Sequence, residues 1–453
     1  MNLMTLPQIK AAFKKHKIEK VKLGGADIDG ILRGKYISME KFLSAAESSF
    51  GFCDVTFGWD SSDVLYDNVR LTGWHTGYPD LQARIDLSTF RVIPWEANTS
   101  FFLVDFYLPD GQPFPASPRY VLRRVIERAE KMGYSPRVAV EYEYFFFRED
   151  PQSARDKHYR QMIPLSPGMF GYSVLRASVH SDFVHDILNT CQTMDVELEG
   201  FHTETGPGVY ETAIKYDNAL AAADKAALFK TIVKVVAQRH GYLATFMAKW
   251  NENLPGCSGH IHQSLLDRRG NKNLFYGVGQ KGSMSGLMQN FMAGQLELMR
   301  EFMVMICPTI NSFKRIVPGT WAPTNVTWGM DNRTTSLRAI PAGPKGTRVE
   351  YRLAGADGNP YLAVAASLAS GLYGVEKKCK LPPPTANAYE AHEAPALPPN
   401  LAEATALFRS SQRARDYFGE EFVEHFAATR EWEVRQFRKA VTDWELERYF
   451  EII

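Results

Sequence analysis

The chain has 453 residues, 45% of them hydrophobic and 23% charged, which fits a large buried core and, by length, about two or three domains. Its 52 basic and 51 acidic side chains nearly cancel, so no field recruits nucleic acid or an anionic membrane, and the partners should be small molecules or further copies of the chain. Five cysteines without CxxC spacing argue against a disulfide framework and a structural zinc site; a basic N-terminus without an apolar run, and no apolar stretch long enough for a bilayer, predict a soluble, cytoplasmic protein.

Residues 6–17 pattern as an amphipathic helix with Ile9 and Phe13 on one face. The alternating runs VKLGGADIDG, ILRGKYI, TFRVIPW and SFFLVDFYL then predict strands of a small sheet. The proline-rich stretch LPDGQPFPASPR (108–119) marks a domain boundary, giving an N-terminal domain over 1–112 and a second over 113–453. A helix should start at Pro118 and end at Gly133. Beyond it, strand-like runs interleave with helical ones at 218–240, 284–305 and 360–378, and the strands also come in adjacent pairs. That pattern predicts an α+β fold with a largely antiparallel sheet flanked by helices. A second proline-rich segment, 380–400, precedes a helical, aromatic-rich tail, and no internal repeat is visible.

Four segments carry chemistry. In ValGluTyrGluTyr (140–144), Glu141 and Glu143 are two apart and share a strand face. Adjacent carboxylates repel unless a cation lies between them, although such a pair alone also suits the outer face of an edge strand. Residues 199–211 offer Glu199, His202, Glu204 and Glu211 around a Gly-Pro-Gly turn. Residues 256–264 place His260 and His262 on one face, and ArgValGluTyrArg (348–352) does the same for Arg348, Glu350 and Arg352. Each segment is weak alone. Together, their carboxylates and imidazoles suit a pair of hard divalent ions, Mg²⁺ or Mn²⁺. The arginines, with Arg333 and Arg338 nearby, suit a polyanion such as ATP held at its phosphates, the arrangement phosphoryl transfer needs. GlyProLysGlyThr (343–347) lacks the frame of a P-loop, no GxGxxG opens a helix after a strand, and no GxSxG elbow is present.

In order and spacing, these segments resemble type I glutamine synthetases nearly end to end. AspIleAspGlyIleLeuArgGlyLys (27–35) is similar to that family's N-terminal β-grasp domain, and ThrAspTrpGluLeuGluArgTyrPhe (442–450) to its closing helix. The resemblance implies one metal site of Glu143, Glu204 and Glu211 and another of Glu141, His260 and Glu350. It implies nucleotide contacts from Glu199, His262, Ser264, Arg338 and Arg348, glutamate contacts from Gly256, Arg315 and Arg352, and a phosphoryl-stabilising role for Arg333. It further implies ATP as co-substrate, two or more Mg²⁺ or Mn²⁺ ions per site, an acyl-phosphate intermediate, and a dodecamer of two stacked hexamers. In that assembly each site is completed by a neighbour's β-grasp domain.

The sequence departs from the ammonia-using pattern. The flap reads GlyThrTrpAlaPro (319–323), with Trp321 where the family places a glutamate that binds and deprotonates ammonium. PheGlyTrpAspSerSerAsp (57–63) displaces the N-terminal ammonium-binding aspartate, so Asp60 or Asp63, beside Trp59, would have to replace it. ProGlyCysSer (255–258) alters the surroundings of Gly256, and TrpGlyMetAspAsnArgThr (328–334) resembles the subgroup that glutamylates polyamines and other alkylamines. The tyrosine that the family adenylylates has no counterpart, so no such regulation is expected. The expected activity is therefore a glutamate–amine ligase. The alternatives are an ammonia-using glutamine synthetase with a rebuilt acceptor site and a non-catalytic ring protein. The sequence does not name the amine.

Overall fold

The computed structural model describes residues 4–453, which form two sheets with helices packed on them. The first sheet runs in the order Leu32–Ile37, Lys20–Ala26, Thr99–Tyr107, Asp80–Ile85, Phe50–Cys53, with Arg91–Val92 on the side of Thr99–Tyr107. Its central pair, Lys20–Ala26 with Thr99–Tyr107, is parallel, and helix Leu6–His16 buries Ile9 and Phe13, the latter against Phe102 of that pair. The sequence patterns missed strands Phe50–Cys53 and Asp80–Ile85 and helix Met39–Ala46, all of them short.

The second sheet runs Trp328–Met330, Leu337–Ile340, Arg348–Tyr351, Gly259–Asp267, Tyr134–Phe147, Val209–Ile214, Leu198–Thr203. Every pairing along it is antiparallel except the first. Helices Pro118–Lys131, Ala219–Arg239, Gly286–Ile306 and Pro360–Lys377 supply much of the apolar core around this sheet, and the four helices from Leu401 to Tyr449 form the tail.

Arg119 lies between the two sheets. Its guanidinium, 3% exposed, reaches Asp224 at 2.8 Å, Asp105 at 2.8 Å and Asp86 at 2.7 Å, and the Tyr361 hydroxyl donates to Asp224 at 2.8 Å. A buried charge is tolerated where it is paired on every side, and these acids come from both halves of the molecule. No helix among the described residues is long and apolar enough to cross a membrane.

Helices Gly286–Ile306 and Pro360–Lys377 meet at paired glycines. A Cβ on Gly374 would lie 2.1 Å from the Asn290 carbonyl oxygen, and one on Gly294 2.3 Å from that of Ser370. Gly374→Ala should therefore force two core helices apart and cost about 1–3 kcal/mol, the usual range for overpacking. A denaturant midpoint unchanged from wild type would contradict that close approach.

Candidate active site

The long strand Tyr134–Phe147 alternates: Val138, Val140, Tyr142 and Tyr144 are buried, while Glu141 and Glu143 face the opposite side. Register then gathers the charges. His260 is opposite Glu141, Glu211 is opposite Glu143, and Glu350 is opposite both His262 and Arg338. Directly opposed residues have Cβ atoms about 5 Å apart, so adjacent strands bring these side chains into one patch.

Two groups result, each with ligand atoms within 4.8 Å of one another: Glu141, His260 and Glu350, and His202, Glu204 and Glu211. The first is the expected set. The second has His202 where Glu143 was expected: Glu143 Oε2 accepts the Ser258 N–H at 2.5 Å, while His202 Nε2 is 3.4 Å from Glu211 and its ring stacks on Tyr172 at 4.3 Å. Glu143 still lines the same cavity.

The electrostatics of the groups differ. Burial would raise the Glu350 carboxyl, but His260, Arg352 and the other basic groups around it hold it at about 2. Glu141 is likewise below the ordinary range, its burial outweighed by His260 and His262. Burial also lowers His260, with Arg352 adding to it. Glu211, by contrast, is pushed up to about 10 by burial and by Glu141, Glu143 and Glu204. Glu204 is raised by burial and Glu143. His260 Nε2 and Glu204 Oε2 are buried with no hydrogen-bond partner. Crowded carboxylates around Glu211, and in each group a buried potential ligand atom without a partner, fit hard divalent ions of the Mg²⁺ or Mn²⁺ kind.

A cavity of about 440 Å³ opens over this patch. Arg315, Arg333, Arg338, Arg352 and Gly256 line it, with Tyr172 and Trp321. Arg315 is 5% exposed and donates to the Leu353 carbonyl at 3.0 Å and the Arg352 carbonyl at 3.3 Å. Gly256 makes room for it, since a Cβ there would lie 2.7 Å from Arg315 Cγ. Arg352 bonds Glu350 at 2.5 Å, whereas exposed Arg333 has no ion-pair partner among the described residues. The backbone of Trp321 is at φ 61°, its side chain is 62% exposed, and its carbonyl accepts from Arg352 at 3.3 Å. The Tyr389 hydroxyl supports the same flap through the Ala322 carbonyl at 3.3 Å.

A second cavity, of about 580 Å³, adjoins the first at Glu141 and holds Glu199, His262, Ser264 and Arg348. Arg348 Nε donates to His262 Nδ1 at 3.1 Å, which leaves His262 Nε2 to carry the proton toward Glu141 at 3.2 Å. Arg338, expected with this nucleotide set, lies instead in the first cavity, bonded to Glu350 at 2.9 Å and to Asp331 at 2.6 Å. Arg137, Tyr216 and Lys345 line the second cavity and carry no site role in the sequence patterns, where 343–347 is weighed as a P-loop and set aside.

The N-terminal aspartates lie apart. Asp60 Oδ1 accepts the N–H groups of Ser62 and Val64, its Oδ2 accepts from Trp432 Nε1 at 3.1 Å, and Asp63 pairs with Arg33 at 2.8 Å. Within one chain neither lines the carboxylate cavity.

The profile described as glutamine synthetase, catalytic domain, matches residues 115–449. A Dictyostelium discoideum protein named type-1 glutamine synthetase 2 is 50% identical over 99% of this chain and 86% of its own. A glutamate–isopropylamine ligase from a Pseudomonas species is 41% identical over 100% of this chain and 99% of its own. A gamma-glutamylethanolamide synthetase from Streptomyces coelicolor is 40% identical over 96% of this chain and 93% of its own.

Proposed function

The chain belongs to the glutamine synthetase family, and on that premise we propose that it is a cytoplasmic ligase joining the γ-carboxylate of L-glutamate to an organic amine, driven by ATP. The observation that carries the choice of acceptor is Trp321. It lines the cavity beside the carboxylate patch, and the flap from Val317 to Ala322 contains no acid. Ammonium needs a negative group to hold it and take its proton, whereas an indole offers apolar surface and a cation–π face to the body of a larger amine. The Pseudomonas and Streptomyces relatives, named for amine products, support the same reading, while the Dictyostelium relative's name favours ammonia.

In the proposed reaction Arg315, Arg352 and the main chain at Gly256 hold glutamate in the first cavity. Glu199, His262, Ser264 and Arg348 hold the nucleotide in the second, so its terminal phosphate meets the γ-carboxylate near Glu141, where the cavities join. A carboxylate oxygen attacks that phosphorus, ADP leaves, and the acyl phosphate forms. The neutral amine then attacks the acyl carbon, phosphate leaves and the nitrogen loses a proton. Divalent ions held by Glu141, His260, Glu350 and by Glu143, His202, Glu204, Glu211 would offset phosphate charge and orient the phosphates. Arg333, exposed at the cavity and without an ion-pair partner among the described residues, would neutralise the transferring phosphoryl group, while Arg338 steadies Glu350. Phosphate release with ATP, Mg²⁺ and L-glutamate, measured against ammonia, isopropylamine, ethanolamine, putrescine and spermidine, tests the reading. An organic amine should exceed ammonia in kcat/KM at least about tenfold, a margin of about 1.4 kcal/mol. A preference for ammonia would overturn it.

We also propose the stacked double ring. Helix Asp443–Tyr449 buries none of its residues, and Val441, Trp444, Phe450 and Ile452 are 59–84% exposed, an apolar surface that a second copy of the chain would cover. Removing residues 440–453 should halve the assembly's mass, from twelve times the 51.2 kDa chain, in light scattering. An active monomer of the untruncated chain would refute the assembly and any role in trans for Asp60 or Asp63.

A further inference from the structure

A third cavity, of about 430 Å³, lies away from the carboxylate patch, between the loops of the first sheet and helix Ala219–Arg239. Its walls carry opposite charge. On one, Lys230 and Lys234 stand one helical turn apart, and neither has a carboxylate within ion-pair distance among the described residues. Lys230 donates to the Gly358 carbonyl at 2.7 Å and lies 4.9 Å from the centre of the Tyr142 ring, and exposed Lys234 lies 5.9 Å from that of Phe246. Asp357, on the same wall, directs its Oδ2 to Thr309 at 2.8 Å and Ser312 at 2.6 Å, while its Oδ1 is buried without a hydrogen-bond partner and its charge partly offsets the effect of burial on Lys230. Like charges at this spacing repel, and burial together with Lys234 pulls the Lys230 ammonium down to about 7. An anion between them would relieve both effects.

The other wall holds Glu433, whose carboxylate makes no hydrogen bond among the described residues although the Arg430 charge acts on it, and Tyr66, 4% exposed with its hydroxyl buried and unpartnered. Asp29 and Arg430, paired at 2.7 Å, complete it, and Arg430 also acts on Glu433 and Tyr66. A buried hydroxyl without a partner and a carboxylate without a hydrogen bond, across from two lysines without an ion-pair partner among the described residues, match a ligand with a donor at one end and an anion at the other.

We propose that this cavity binds a small zwitterion of the α-amino-acid class, its carboxylate on Lys230 and Lys234 and its ammonium toward Glu433 and Tyr66. Tyr66 and Asp29 belong to the N-terminal part and the lysines to the catalytic part, so an occupant braces one against the other. Asp60 also lines the cavity, which places the ligand beside the loop proposed to reach a neighbour's acceptor pocket.

The test is calorimetry on the intact enzyme with each of the common L-amino acids, the binding that Lys234→Gln and Glu433→Gln weaken being that of the third cavity. Acetate and ethylammonium serve as probes carrying one end each. At least one amino acid should bind with a Kd below about 1 mM, roughly −4 kcal/mol, and both single-ended probes at least tenfold more weakly. Lys234→Gln and Glu433→Gln should each raise that Kd tenfold or more while leaving kcat without the ligand within twofold, and Lys234→Arg should restore binding. The proposal falls if no amino acid binds, if acetate binds as tightly as the best of them, or if both neutral variants bind like wild type.

Discussion

Glu211→Gln should abolish phosphate release and, in the same protein freed of metal, raise thermal stability. The two effects have opposite signs because the carboxylate is crowded. Glu211 is 8% exposed, faces Glu143 across the strand pair and belongs to the group with Glu204 and His202. Without a bound cation its carboxyl is pushed to about 10, so near neutral pH it is protonated in the fold and ionised in the unfolded chain. The unfolded state then binds fewer protons, and stability falls as pH rises from the ordinary carboxylate value of 4.5 to about 10. Glutamine has no such slope, so the variant's advantage should grow across that window and vanish when excess Mg²⁺ occupies the wild-type site. Catalysis should move the other way: losing one charged ligand should lower kcat at least about 10³-fold, some 4 kcal/mol in the barrier.

Glu350→Ala gives the contrasting case. It should be equally inactive but less stable, because Glu350 is 1% exposed and balances Arg338 and Arg352. Removing one partner of a buried ion pair costs about 3–5 kcal/mol by leaving the other charges unbalanced. Near-normal turnover of either variant at saturating Mg²⁺ would contradict the assignment of these acids to metal binding. Parallel destabilisation of both would contradict the distinction between a cation-rich and an acid-rich group.

That distinction shows what the sequence could and could not convey. A period of two places Glu141 with Glu143 and His260 with His262, so the composition of the patch is legible from local spacing. Which strand lies beside which, and in what register, depends on pairings between residues more than a hundred positions apart, such as His260 with Glu141. The entry of His202 into the second group and the position of Arg338 beside Glu350 follow from that register, and no short pattern encodes it. The same holds for Asp60, whose Oδ2 is taken by Trp432 from the far end of the chain. Missed elements have a local cause. Phe50–Cys53 has four residues, Asp80–Ile85 has six, and helix Met39–Ala46 is announced mainly by the Ser38 side chain accepting the Lys41 N–H. Such short runs give periodicity too few repeats to register.

Trp321→Glu should switch the acceptor. The substitution changes only what the flap presents: the side chain is 62% exposed, so no core is lost, and the Arg352 hydrogen bond goes to the carbonyl, which every residue keeps. The left-handed backbone at φ 61° is unfavourable for Trp and Glu alike, so the strain carries over. With Trp321, one or two methylenes of an amine packed on the indole contribute about 0.8 kcal/mol each, together about a tenfold gain that ammonia has no carbon to collect. With glutamate, that surface is gone and a carboxylate stands where an ammonium ion can be attracted and deprotonated. The ratio of kcat/KM for the best amine to that for ammonia should therefore fall about a hundredfold or more, from loss on one side and gain on the other. Trp321→Gln separates the two contributions: it should lose the amine as the glutamate variant does and gain nothing with ammonia. Equal losses with every acceptor in both variants would mean that the indole only closes the flap over the acyl phosphate. Acceptor choice would then have to lie elsewhere in the cavity, with Tyr172, stacked on His202 at 4.3 Å, as the next residue to replace.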